Sequence, residues 1–586
     1  MDEVHKLLSV WAPRATTVTA VAGDHRLELI KGDDDWFRPA QVPAELLATD
    51  FDYGFCLDGD PTPLPDPRSR RQPHGVHAMS RRYRPVEHDW GDQAWTGRQL
   101  GGGIIYELHV GTFTPDGTLD AAIERLDHLV ELGVDFVELM PVNAFNGDHN
   151  WGYDGVGWFA VQESYGGPAG YQRFVDACHQ RGLAVIQDVV YNHLGPSGNY
   201  LPRFAPYLTE GSNTWGELIN LDGPDSDPVR RYVIDNALMW LRDYHVDGLR
   251  LDAVHALQDR TAIHLLEELA VEVDALSAQL ARPLTLIAES DLNDPTLITA
   301  RSAGGYGLAG QWSDDFHHAL AVALTGDTSG YFADFANLSS LAKVINRGFF
   351  HDGTLSTFRQ RRHGRPVDLD RTPGWRLVVC SANHDQIGNR AAGDRLSTRI
   401  SPRQLILAAA TTLLSPFTPM IFAGEEWGAS TPFQFFTSHP EPELGRIVAE
   451  GRVAEFARME WDTSQVPDPQ DEQTFLRSKL DWSEPTEAGH AELLAVHREL
   501  IALRRDCPQL TDPRFRCRRA VADDTARTLQ VITDDLAVVI NFGDRPVAVS
   551  LPGAMSLRWS SGEAAVGQDE VDLGRHSAAL VLINRS

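Results

Sequence analysis

Between residues 103 and 426, eight short apolar runs alternate with stretches of helical periodicity, and few folds have that rhythm. The runs are Gly103–Val110, Phe136–Val142, Leu183–Val190, Gly248–His255, Leu284–Glu289, Leu308–Trp312, Leu377–Asp385 and Pro419–Glu426. They are nearly continuously apolar, so they read as strands covered on both faces, the pattern of a parallel sheet. Parallel neighbours need long crossovers, and the intervening segments supply helices. One is capped at Thr118, turns Leu119, Ile123, Leu126, Leu129 and Val130 to one face, and stops at Gly133. Another runs from Phe174 to Arg181 ahead of Gly182. A third starts at Asp227-Pro228, a cap followed by proline at the first helical position. The last spans His490 to Arg505. The expected fold class is α/β, a (β/α)8 TIM barrel.

The flanks read differently. Val18–Val21 and Leu27–Ile30 bracket the turn signal Gly23-Asp24, and Thr528–Ile532 and Leu536–Ile540 bracket Asp534-Asp535. With 586 residues the chain is too long for one core. We expect an N-terminal β-sandwich over 1–88, the barrel over 89–510 with an inserted loop subdomain at about 195–227, and a C-terminal β-sandwich over 511–586. The formal charge of −30 repels polyanions, so nucleic acid and anionic membrane are not expected as partners. Cys56, Cys178, Cys380, Cys507 and Cys517 are odd in number and scattered, and read as free thiols in a reducing compartment. Met1–Lys6 lacks the basic-then-apolar pattern of a secretory leader, and no apolar run is long enough to span a bilayer. A cytoplasmic location is the expectation.

Polar residues collect where the runs end. The third finishes Asp188-Val189-Val190-Tyr191-Asn192-His193, the fourth holds Arg250, Asp252 and His255, the fifth ends Glu289-Ser290, and the seventh ends Asn383-His384-Asp385-Gln386. One strand-end aspartate is most simply a helix cap, and Arg250 with Asp252 most simply a structural ion pair. Neither reading accounts for so many acids gathered at the carboxyl face of one barrel, where such enzymes keep their chemistry. Glycosidic cleavage needs this set: a protonated acid for the leaving oxygen, and an ionised carboxylate for the oxocarbenium-like centre. Neutral histidines and an arginine bind sugar hydroxyls, and an aromatic ring stacks on the sugar's apolar face.

The segments Asp188–His193, Gly248–His255, Ala288-Glu289 and Asn383–Asp385 resemble, in the same order, the four conserved sequence regions of the α-amylase superfamily. The resemblance implies Asp252 as nucleophile, Glu289 as general acid/base and Asp385 as the group that grips ring hydroxyls in the transition state. It implies that Arg250 orients Asp252, that His193 and His384 contact the sugar, and that Tyr153 of Trp151-Gly152-Tyr153-Asp154 stacks on it. Asp188, His255 and His318 join the expected binding set. The superfamily reaction is retaining, which implies the two main carboxyl groups lie roughly 5 to 5.5 Å apart.

Within the superfamily, Pro65–His77, Trp312–His318, Asn383–Arg390 and Pro432–Thr437 are similar to motifs of the maltooligosyltrehalose trehalohydrolase family. Ser381-Ala382, ahead of Asn383, departs from the more polar pattern expected there. The implied reaction is hydrolysis of the α-1,4 bond next to the terminal trehalose of a maltooligosyltrehalose or related α-glucan. Asp314, Asp315, His317, Gln386 and Asn389 are the side chains expected to recognise the trehalose end. A functional pairing with a maltooligosyltrehalose synthase follows from the same resemblance. The alternatives are a glycogen-branching transferase using the same carboxylates and an inactive glucan-binding relative. No cofactor and no metal are expected: His317-His318 and His384-Asp385 lack zinc spacing, although Asn192 is of the kind that contributes to structural calcium sites. Trp151, Trp158 and Trp215 are open between sugar platform and plain core.

Overall fold

The computed structural model describes residues 3–458 and 465–584. Its centre is a closed barrel of eight parallel strands: β1 (Ile105–Leu108), β2 (Phe136–Leu139), β3 (Ala184–Val189), β4 (Gly248–Leu251), β5 (Thr285–Ala288), β6 (Gly310–Trp312), β7 (Leu377–Cys380) and β8 (Thr418–Phe422). Each pairs with its sequence neighbours, and β8 closes on β1 through Met420 beside Ile105.

All eight runs expected to be barrel strands are strands, but shorter. The fourth stops at Leu251 because Ala253 takes a left-handed conformation, φ +40°, and turns the chain. The seventh stops at Cys380; Asn383 then caps a short helix, His384–Gly388, so Asp385 lies in a helical first turn. The helix capped at Thr118 breaks into Leu119–Ile123 and Leu126–Leu132, which leaves Val130 exposed. Gly133 ends it with φ +96°, as its position requires. The helix expected from Asp227 begins at Ser226 behind Asp225, and Pro228 sits in the first turn, where its missing N–H has no partner to lose. Between β3 and that helix the chain forms a short helix, Leu201–Phe204, and a hairpin, Leu208–Ser212 with Glu217–Ile219.

Ahead of the barrel lie six antiparallel strands. His25–Lys31 joins two halves, pairing with Val18–Ala22 through its first residues and with Trp36–Pro39 through its last. Behind the barrel, a five-stranded sheet faces a three-stranded one. Leu536–Asn541 shows the period-two logic. Ala537 and Val539 face the inter-sheet core with Val571 and Leu573, while Leu536, Val538 and Ile540 join the core shared with the barrel. No described helix is long and apolar enough to cross a membrane.

Candidate active site

The same alternation builds the site. Ile105, Phe136, Ile186, Ile287 and Val378 form an apolar layer inside the barrel. Two residues further along each strand, on the same face, stand Glu107, Glu138, Asp188, Glu289 and Cys380; β4 and β6 contribute Arg250 and Trp312. The interior therefore changes from hydrocarbon to charge toward the carboxyl ends.

Arg250 is the hub of this polar layer. It is fully buried, with its guanidinium carbon 4.3 Å from the centre of the Trp312 ring. Its Nη1 donates to Asp188 Oδ2 at 2.8 Å and to Asp252 Oδ1 at 2.7 Å, and its Nη2 lies 3.6 Å from Glu289 Oε2. Asp252 also accepts from Asn192 Nδ2 at 2.7 Å. Both of its oxygens are thus held by donors, which fixes the orientation of the carboxylate. Asp188 differs: burial outweighs Arg250 and pushes its carboxyl up to about 7.

Glu289 faces this pair from β5. Its Oε2 accepts the backbone N–H of Ala253 at 2.6 Å, an N–H aimed there by the left-handed turn just after Asp252. Burial, reinforced by the negative charges of Asp252, Asp314 and Asp385 and opposed by Arg250, pushes Glu289 up to about 8. It is a carboxylic acid at neutral pH, beside the carboxylate that Arg250 and Asn192 grip through both oxygens. That division of labour between two carboxyl groups is what acid-assisted glycosidic cleavage requires.

Asp385 enters from the other side and is the most open of the three, with 39% of its side chain exposed. Its Oδ1 accepts from Asn389 Nδ2 at 3.0 Å, and its Oδ2 lies 3.4 Å from His384 Nε2. His384 Nε2 is 2.8 Å from Tyr153 Oη, and the Tyr153 hydroxyl donates to Asp188 at 2.7 Å. A polar chain therefore runs from Asp385 through His384, Tyr153, Asp188 and Arg250 to Asp252. Beside Asp385 a hollow opens, lined by His317, Tyr331, Gln386, Asn389 and Arg390.

The alpha amylase catalytic-domain model matches residues 85–215. The malto-oligosyltrehalose trehalohydrolase of Rhizobium sp. (strain M-11) is 58% identical over 98% of this chain and 97% of its own length. That of Saccharolobus solfataricus is 40% identical over 86% of each. The chain belongs to the malto-oligosyltrehalose trehalohydrolase family. A 1,4-alpha-glucan branching enzyme of Bacillus caldolyticus is more distant, 31% identical over 62% of this chain and 59% of the relative. A Salmonella typhimurium crystal structure, assigned provisionally to the alpha amylases, superposes with a TM-score of 0.88 at 36% identity and covers 98% of this chain and 97% of its own. The Group B Streptococcus pullulanase SAP shares the fold at TM-score 0.71 and 17% identity, over 98% of this chain and 86% of its own.

Of the expected site residues, Asp385, His317, Gln386 and Asn389 line the hollow; His384, Tyr153, Asp188, Arg250, Asp252 and Glu289 connect to Asp385 through the polar network, and the charge of Asp314 acts on Glu289. His255 is half-buried near Trp215, which is 49% exposed and stacks beside His193, so Trp215 is a platform candidate. Trp158 is core, packed on Tyr191 and Tyr232; Trp151 is buried beneath His384 with its Nε1 donating to the Gln434 carbonyl.

Three binding expectations need correction. Asp315 turns away from the hollow: its Oδ2 accepts from Asn293 Nδ2 and from the backbone N–H groups of Phe350 and His351, at 2.7 to 2.9 Å. It is an anchor for the 348–352 loop. His318 packs among Tyr331, Phe332 and Phe335, and burial drives its imidazole well below the ordinary range. His193 has both ring nitrogens engaged, with Asn192 Oδ1 at 2.6 Å and the Tyr153 carbonyl at 2.9 Å, so it braces the site and has no free ring N–H for sugar. Sequence reasoning missed Glu107, Glu138 and Trp312 as members of the polar layer. The signal was present in the first two: a charge two residues past an apolar inward position, Ile105 for Glu107 and Phe136 for Glu138.

Proposed function

We propose that this chain is a retaining glycoside hydrolase that cleaves the α-1,4-glucosidic bond next to the terminal trehalose of a maltooligosyltrehalose, releasing trehalose. The observation that carries the reading is the pair Asp252 and Glu289, flanking one buried guanidinium, one gripped by donors through both oxygens and the other kept protonated to about 8. In this reading Glu289 protonates the leaving oxygen while Asp252 attacks the anomeric carbon, giving a covalent glycosyl-enzyme. Glu289, now ionised, then takes a proton from water as that intermediate is hydrolysed. Asp385, the open carboxylate, holds the ring hydroxyls, and His384 steadies it from 3.4 Å away. Arg250 keeps Asp252 aligned throughout. Asp314, His317, Gln386 and Asn389 supply polar contacts of the kind that separate one disaccharide shape from another.

A reaction that makes the α,α-1,1 end of the substrate must come first. We place this enzyme in the cytoplasm, in functional pairing with a maltooligosyltrehalose synthase. The test is product analysis on maltotriosyltrehalose beside a plain maltooligosaccharide of equal length. Free trehalose and maltotriose from the first, lost in Asp252→Ala, support the assignment. New α-1,6 linkages without free trehalose replace it by a branching transferase, and no turnover with intact binding replaces it by a glucan-binding protein.

A further inference from the structure

We propose that Glu107 is a positioning residue: from β1 it holds His384 as a doubly protonated imidazolium whose Nε2–H is directed at Tyr153 and Asp385. The inference deepens the glycosidase reading and rests on it for its kinetic part.

Glu107 is 1% exposed and directs both oxygens at one residue. Its Oε1 accepts from His384 Nδ1 at 2.5 Å, and its Oε2 accepts from the His384 backbone N–H at 3.1 Å. Across the ring, Nε2 lies 2.8 Å from Tyr153 Oη. The single hydroxyl proton of Tyr153 is committed to Asp188 at 2.7 Å, so its oxygen is an acceptor toward His384. With a carboxylate at Nδ1 and an accepting oxygen at Nε2, both ring nitrogens must carry hydrogen.

The surrounding charges agree. Facing the ring are Glu107 and Glu138 from β1 and β2, Asp188 from β3, Arg250 from β4, Asp385 beside it on its own helix, and His109 at the end of β1. Among the described residues neither Glu138 oxygen has a hydrogen-bond partner, and burial drives its carboxyl well above the ordinary range, so it is uncharged. Burial also keeps His109 neutral, and Arg250 opposes the imidazolium. Burial of His384 itself disfavours its charge, yet Asp385 and Glu107 outweigh that and raise it to about 9. Asp385 is partly open to solvent, whereas Glu107 is not, so Glu107 is the counter-charge that water screens least.

The variant Glu107→Gln keeps the shape and an oxygen for the backbone N–H but removes the charge. Histidine labelled at Cε1 reads the ring directly by NMR, with the His384 signal identified by its loss in His384→Asn. The wild-type signal should remain that of an imidazolium through pH 8, and the Glu107→Gln signal should titrate at least one pH unit lower. Turnover in Glu107→Gln should fall about tenfold or more, its alkaline limb should move to lower pH, and Glu107→Asp should recover part of both. A neutral His384 in the wild type at pH 7 overturns the proposal even if Glu107→Gln does not fold. So does a folded Glu107→Gln with unchanged titration and rate. If the wild type releases no trehalose, the reaction assignment falls, while the NMR titration still decides the role of Glu107.

Discussion

Replacing Glu289 with Gln removes one proton from a site that has kept that proton against the pull of neutral water. With its carboxyl at about 8, roughly nine molecules in ten carry the acid at pH 7, against roughly one in three hundred at an ordinary glutamate value. The wild-type kcat/KM should therefore stay level through neutrality and fall along an alkaline limb at about pH 8. General acid–base assistance of this kind contributes about 10²- to 10⁴-fold, or about 3–5 kcal/mol of barrier. Glu289→Gln should lose that much on maltotriosyltrehalose, measured as trehalose released, and the limb at about pH 8 should disappear with the group, leaving the one that His384 sets at about 9. On an aryl maltooligoside, whose phenolate leaves without a proton, the loss in the glycosylation step should be much smaller. A second perturbation fixes the cause of the limb. Asp314 is ionised at pH 8, since burial holds it at about 7, and its charge helps to keep Glu289 protonated. Asp314→Asn removes that charge, makes the Glu289 anion easier to form, and should move the limb to lower pH by roughly half a unit to one unit. A wild-type limb already complete below pH 6, or a Glu289→Gln enzyme within tenfold of wild type on the oligosaccharide, would refute the reasoning.

Three further outcomes follow from the geometry. At the amino end of the barrel, His179 donates to Asp92 and Asp247 at 2.9 Å each, and its ring stacks on Trp95. Burial opposes its charge, but the two carboxylates outweigh it and raise it above the ordinary histidine value. Its stabilisation is then complete below about pH 6.5 and lost as pH rises through the higher folded value. His179→Gln should lower stability by about 3 kcal/mol near pH 6, and the gap in thermal unfolding should narrow as pH rises; a gap independent of pH rejects the charged ring. Asp315→Ala leaves the N–H groups of Phe350 and His351 without their acceptor and should cost about 2–3 kcal/mol of stability with little change in KM. A large KM effect without a fall in melting temperature would return Asp315 to the binding set. Trp215→Ala should raise KM roughly fivefold, about 1 kcal/mol, and leave kcat nearly unchanged; an unaltered KM removes Trp215 as a sugar platform.

Most of the barrel was legible because a two-residue period has only two faces. Once Ile186 and Ile287 point inward, Asp188 and Glu289 must follow, and the end of the strand marks where the interior turns polar. Helices give no such certainty. Asp314 and Asp315 are adjacent in sequence, yet about 100° of helical rotation separates them, so the charge of one acts on Glu289 and Asp385 and the other ties down residues 350 and 351. His317 and His318 divide in the same way, between the hollow and an aromatic cluster. Where a strand stops is less legible still. Nothing about alanine announces a positive φ, yet the turn at Ala253 both ends β4 and delivers the N–H that Glu289 accepts. The partners of Glu107 and His193 come from elements distant in sequence, so only the closed barrel shows that one side chain sets a charge and the other braces a wall. The acids of such a site are therefore named by strand register, while the state of each, proton on or proton off, is decided by neighbours that the chain supplies from other strands.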